Sequence, residues 1–127
     1  MNRRAIATSH APSSPLFSQG VRVGSTIYVS GMVGIDPATK EMAGATIQEQ
    51  TLQALRNCEA VIRAGGGTLP DVAQVTVLLT NPGDFAGMNE AYATVFPTEP
   101  PARAVAKLGV DLPNVLVSIM MTAHVAD

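Results

Sequence analysis

The chain has no tryptophan and a single cysteine, Cys58, in 127 residues. One thiol excludes an intrachain disulfide and leaves no cysteine-based metal site. Aromatic side chains make up 4% of the residues, so a core has to be filled mainly by Val, Ala, Leu, Ile and Met. Basic charge is also scarce. Eight Lys and Arg stand against ten Asp and Glu, and they are scattered rather than gathered into the stripe of a nucleic-acid binder. No apolar run approaches the roughly 18 residues that span a bilayer. Met1-Asn2-Arg3-Arg4 is basic, but the apolar stretch of a secretory signal does not follow it. These absences lead us to expect a soluble, cytoplasmic protein without a nucleic-acid or membrane partner. At this length one domain, residues 1–127, around one core is expected.

What is present alternates between strand-like and helix-like blocks. Residues 3–8 read as a first strand, followed by a Pro- and Ser-rich loop from His10 to Pro15. Phe17 to Val23 and Thr26 to Ser30 read as a hairpin turning at Gly24-Ser25, and Gly31, Gly34 and Asp36-Pro37 then punctuate a loop. Thr46 to Ala64 is the clearest helix. Thr46-x-x-Glu49 is a capping box, Gly65-Gly66-Gly67 stops it, and Ile47, Leu52, Leu55, Cys58 and Ile62 approximate its buried stripe. Val72 to Thr80 is a β-branched strand. A second helix runs from about Asp84, its N-cap residue, to Val95, with Phe85, Met88, Tyr92 and Val95 as its buried stripe. Two strands follow, about Ala102 to Val110 and Val115 to Val125. Two helices against one face of a mixed sheet is an α+β fold.

Within Pro101-Ala102-Arg103-Ala104-Val105 an arginine enters an otherwise small, apolar strand. Burying an unpaired guanidinium is expensive, so Arg103 needs a partner. Its planar fork suits a carboxylate held bidentately, which makes a small acidic ligand one candidate and a structural ion pair the other. His10 has no ligand-type partner at metal spacing, and His124, a conceivable distant base for Ser118, stands six strand residues or about 20 Å away, so both read as structural or surface residues. Cys58 reads as a packed small hydrophobe.

Five segments, in order, carry a resemblance along nearly the whole chain. They are Phe17-Ser18-Gln19-Gly20, Val29-Ser30-Gly31 with the later Asp36-Pro37, Thr51 to Asn57 with the triple glycine, Asp84-Phe85 through Asn89-Glu90-Ala91-Tyr92 to Phe96, and Pro101-Ala102-Arg103. Together they resemble the RidA/YjgF family. The resemblance implies a chorismate-mutase-like α+β domain that assembles as a homotrimer with ligand clefts between subunits. It implies hydrolysis of reactive 2-imino and 2-enamino acids to 2-oxo acids and ammonia, with no metal or organic cofactor. It also implies that Arg103 holds the carboxylate of a small 2-imino or 2-oxo acid. Phe17, Ser30, Gly31, Asn89 and the backbone of Val105 then shape the pocket.

Three positions depart from the family pattern. Phe17 stands where the family usually has Tyr, so a hydroxyl is lost. Val105 stands where Cys is common, at a position that acts largely through its backbone. Ser118, in Val117-Ser118-Ile119, stands where catalytic members carry an acidic residue that positions or activates water. A serine is a poor general base near neutral pH without its own activator. Three readings therefore stand: an imine deaminase slowed by Ser118, a non-catalytic trimeric protein that binds small carboxylates, and a ribonuclease. The last is disfavoured by the scattered basic residues and the lack of a stacking platform.

Overall fold

Thr46 and Glu49 cap each other as their spacing predicts. Thr46 Oγ1 accepts the Glu49 N–H at 3.1 Å, and Glu49 Oε1 accepts the Thr46 N–H at 3.3 Å. They open α1 (Ile47–Ala64), which stops at Gly65, with Gly66 at φ +98°, a conformation that favours glycine. These features come from a computed structural model, which describes residues 2–126. Met1 and Asp127, the two ends of the expected domain, lie outside the described residues.

The strands are β1 (Arg3–Ile6), β2 (Gly20–Val23), β3 (Thr26–Val33), β4 (Ile35–Asp36), β5 (Glu41–Met42), β6 (Val72–Leu79), β7 (Ala102–Lys107) and β8 (Val117–His124). Six of them form one mixed sheet in the order β1-β2-β3-β8-β6-β7, and β4 pairs with β5 in a small hairpin. β6 and β7 run parallel, joined through α2 (Phe85–Val95), while the other neighbouring pairs are antiparallel. A parallel pair needs such a crossover. β7 is an edge strand, bonded to β6 alone.

Both helices cover one face of the sheet. α1 packs on β3 and β8 and against α2. Val75, Val77, Val117 and Ile119 from the sheet meet Leu55, Cys58 and Ile62 from α1, all essentially inaccessible. Each such side chain removed from water stabilises the fold by about 1.5–3 kcal/mol for Val, Leu or Ile.

Several elements differ from their sequence expectation for local reasons. Phe17 to Gln19 are not strand, because the buried Gln19 side chain ties down the preceding loop instead. Its Oε1 accepts Thr8 N–H at 2.7 Å, and its amide contacts the Thr8 and Ala11 carbonyls at 3.0 and 2.9 Å. β3 does not end at Ser30. It continues to Val33 past a register shift between Val29 and Met32, so Ser30 and Gly31 occupy a β-bulge. Asp84 sits at the α2 N-cap but makes no side-chain capping bond. Phe85, expected in the core, is 46% exposed.

The apolar residues Val115, Val117, Ile119 and Met121 are covered within the chain, at 8% exposure or less, and need no second subunit. The uncovered sheet face carries the opposite parity of β8, including Met120 at 46%, and Tyr28 of β3 at 52%.

Candidate functional site

Arg103 lies on the edge strand, in register with Val75 of β6 and therefore on the helix-covered side of the sheet. There its guanidinium reaches α2, where Nη1 donates to Asn89 Oδ1 at 2.8 Å and passes Met88 Sδ at 3.9 Å. The guanidinium carbon is 4.8 Å from the centroid of the Tyr92 ring and 5.9 Å from that of Phe85. Arg103 remains exposed. Among the described residues the one ion pair is Glu59–Arg63, so no carboxylate of those residues answers the Arg103 charge. A structural ion pair is thereby set aside within the described residues. What remains is a cation held by neutral groups, with most of its five N–H donors unpartnered among the described residues. A cavity of about 400 Å³ beside it is lined by Asn89, Tyr92, Phe96, Pro101 and Arg103. Val105 follows two residues along β7, on the same side, and is half-buried. Burial pushes the Tyr92 phenol above its ordinary pKa, and the Arg103 charge works against that rise.

Ser118 lies elsewhere. It pairs with Leu78 of β6 on one side and Val33 of β3 on the other. Leu78 is three positions from Val75, an odd offset, so Ser118 points to the face opposite Arg103. The two residues are also separated by about 10 Å along the strands and about 10 Å across them. Ser118 gathers a different group. A β-carbon built on Gly31 would meet Ser118 Oγ at 3.0 Å. In the same bulge, Ser30 Oγ donates to the Ser18 carbonyl and Ser30 N–H to the Gln19 carbonyl at 2.9 Å, which links the bulge to the segment carrying Phe17. Phe17 itself is 47% exposed.

The expected site residues thus fall into two groups. Arg103, Asn89 and Val105 stand at the β7 edge, whereas Phe17, Ser30, Gly31 and Ser118 gather around the bulge of β3. One chain does not bring the two together. Ser118 has apolar partners on both neighbouring strands, and no carboxylate or imidazole among them could activate it.

Sequence reasoning did not find the residues that hold these groups in place. Buried Asn57 donates to the Val33 and Ile35 carbonyls at 2.9 and 2.8 Å, just past the bulge. Buried Gln50 accepts the Leu116 N–H at 2.9 Å and donates to the Asn114 carbonyl at 3.0 Å, which fixes the entry into β8. The available signal was two amides interrupting the apolar stripe of α1. His124, in contrast, is a surface residue as expected, with Nδ1 at 3.1 Å from Thr26 Oγ1. Cys58 is fully buried, its Sγ lying 3.4 Å from the Ile119 carbonyl, and burial pushes its thiol far above the ordinary range.

A mixed six-stranded sheet with both helices on one face, an arginine at its parallel edge and a Ser-Gly bulge on the other side defines a small α+β protein of the YjgF type. The chain belongs to the Endoribonuclease L-PSP family, also called RidA/YjgF, whose pattern matches residues 8–125. A RutC family protein of Saccharolobus solfataricus is 39% identical over 124 residues, covering 96% of this chain and 98% of that one. The 2-iminobutanoate/2-iminopropanoate deaminase of Rattus norvegicus is 41% identical over 103 residues, covering 80% of this chain and 75% of the enzyme. Among solved structures, E. coli TdcF with bound serine superposes with a TM-score of 0.90 at 30% identity, over 97% of this chain and 99% of that one.

Proposed function

We propose that the chain binds small 2-imino and 2-oxo carboxylates through Arg103 and hydrolyses reactive 2-imino acids slowly, in a cleft completed by a second copy of itself. The observation that carries this reading is Arg103, exposed, oriented by Asn89 and unmatched by any carboxylate among the described residues. A relative that is an imine deaminase and a neighbour that holds serine, itself a 2-amino carboxylate, support it.

The reaction asks little of the protein. Two Arg103 N–H groups hold the carboxylate in a bidentate grip, which orients the adjacent imine carbon. Water attacks that carbon, forming the C–O bond while the C=N π pair moves to nitrogen, which takes up a proton. The resulting carbinolamine collapses to the 2-oxo acid as its hydroxyl proton passes to nitrogen and its C–N bond breaks, and ammonia leaves. Ser118 can hold the water by its hydroxyl but does not remove its proton. In this reading the Phe17, Ser30, Gly31 and Ser118 face of one copy closes over the Arg103 edge of the next. A homotrimer, closing by rotation, fits both the free β7 edge and the uncovered sheet face with Tyr28 and Met120.

The alternative, a carboxylate-binding protein without catalysis, is favoured by one observation: the apolar surroundings of Ser118. Ammonia release from freshly generated 2-iminopropanoate separates the two. The deaminase reading predicts release above the spontaneous rate that is lost in Arg103→Ala. A wild-type rate equal to the spontaneous one, with pyruvate still bound, leaves the binding-protein reading.

A further inference from the structure

Arg103 is held by more than its bond to Asn89. α2 presents Phe85, Asn89, Tyr92 and Phe96 at spacings of three and four, so they share one side of the helix. Tyr92 is 6% exposed and its ring leans on Phe96, with centroids 5.0 Å apart and planes at 43°. The Arg103 guanidinium lies over that ring, 4.8 Å from its centroid and 5.9 Å from the centroid of Phe85. The Tyr92 hydroxyl is buried without a hydrogen-bond partner. A hydroxyl in that state costs stability, so the useful part of Tyr92 is its ring.

From these contacts we infer that Tyr92 is the positioning residue for Arg103. Its π-face fixes the plane of the guanidinium, Phe85 closes the outer side, and Asn89 fixes the rotation, so the remaining N–H fork is set for a carboxylate before one arrives. The division of labour suits the group, because a guanidinium stacks through its faces and donates from its edges. An exposed arginine is otherwise free to sample many rotamers, and ordering it on binding lowers affinity. The inference rests on the reading of Arg103 as the carboxylate anchor.

The test compares wild type with Tyr92→Phe, Tyr92→Leu, Phe85→Ala and Arg103→Ala. Each is checked for folding by thermal melting, then examined by the Arg103 Nε–Hε NMR signal and by calorimetric titration with pyruvate. The signal is assigned by its loss in Arg103→Ala. In wild type the Tyr92 ring current displaces it. Tyr92→Phe should keep both the displaced signal and the affinity, within about twofold, because the ring face is retained. Tyr92→Leu should move the signal to the position of a free arginine and weaken pyruvate binding roughly tenfold, as expected for a partly desolvated cation–π contact. In hydrolysis the loss should fall on KM rather than kcat. A folded Tyr92→Leu with wild-type signal and affinity overturns the inference, and so does a Tyr92→Phe that falls as far as Tyr92→Leu. Should Tyr92→Leu fail to fold, Phe85→Ala at the exposed side decides: a signal moved away from its wild-type position and a weakening of about threefold support the clamp, and no change in either overturns it. If Arg103→Ala binds pyruvate as wild type does, the carboxylate reading fails while the NMR signal still tests the clamp.

Discussion

Ser118 Oγ and Gly31 share one niche: a β-carbon on Gly31 would stand 3.0 Å from that oxygen. The absent side chain at Gly31 therefore leaves the space beside Ser118 Oγ to the residue at position 118. In the proposed reaction, Ser118→Glu places a carboxylate where water would be held. General-base assistance is worth about 10²–10⁴-fold, so Ser118→Glu should raise imine hydrolysis by at least tenfold over wild type. The missing Phe17 hydroxyl limits the gain. Ammonia-release kinetics check this, and a folded variant with no gain favours the binding-protein reading.

Gly31→Ala tests the same niche from the other side. The added methyl crowds Ser118 Oγ, so the variant should lose any gain that Ser118→Glu confers when the two are combined. A double variant as active as Ser118→Glu alone would show that the niche does not matter.

The bulge that places Ser30 and Gly31 depends on Asn57. Removing its amide leaves the Val33 and Ile35 carbonyls without these bonds near a buried position. Each unsatisfied group costs about 1–3 kcal/mol, so Asn57→Ala should lower unfolding stability by about 2–4 kcal/mol in urea. A loss below about 1 kcal/mol would mean that the loop re-satisfies itself.

Cys58 sets a pH dependence. Its ordinary pKa is 9.0, and burial keeps it protonated in the folded chain well above that. As pH rises past 9 the unfolded chain releases this proton and the folded chain does not, so stability falls, by about 1.4 kcal/mol per pH unit. Tyr92, whose pKa is also raised by burial from 10.0, adds to the fall above pH 10. Urea titrations at pH 8, 9 and 10 should show the decline, and Cys58→Ala should flatten the part between 9 and 10. A wild-type slope unchanged by Cys58→Ala would contradict it.

Much of the architecture was legible because its signals are local. The Thr46–Glu49 cap, the glycine stop after Ala64 and the β-branched run of β6 each specify their element without reference to the rest of the fold. Arg103 stood out because a cation in an Ala/Val strand is chemically conspicuous. What was not legible depends on distant partners. β3 runs through Gly31 because β8 pairs with it on both sides of the bulge, and no local pattern announces that. The parity of β8 was not legible for the same reason: both faces of Val117–His124 carry apolar residues, and only packing against α1 chooses between Ile119 and Met120. The aromatic ring beside Arg103 comes from α2, eleven positions earlier, where Tyr92 reads as an ordinary core residue.

If Arg103 anchors a small carboxylate, calorimetric titration of wild type and Arg103→Ala with pyruvate shows it without recourse to catalysis. Loss of a charge-assisted bidentate contact costs a few kcal/mol, so the variant should bind at least about a hundredfold more weakly while melting close to wild type. Equal pyruvate affinity in the two proteins would contradict the account.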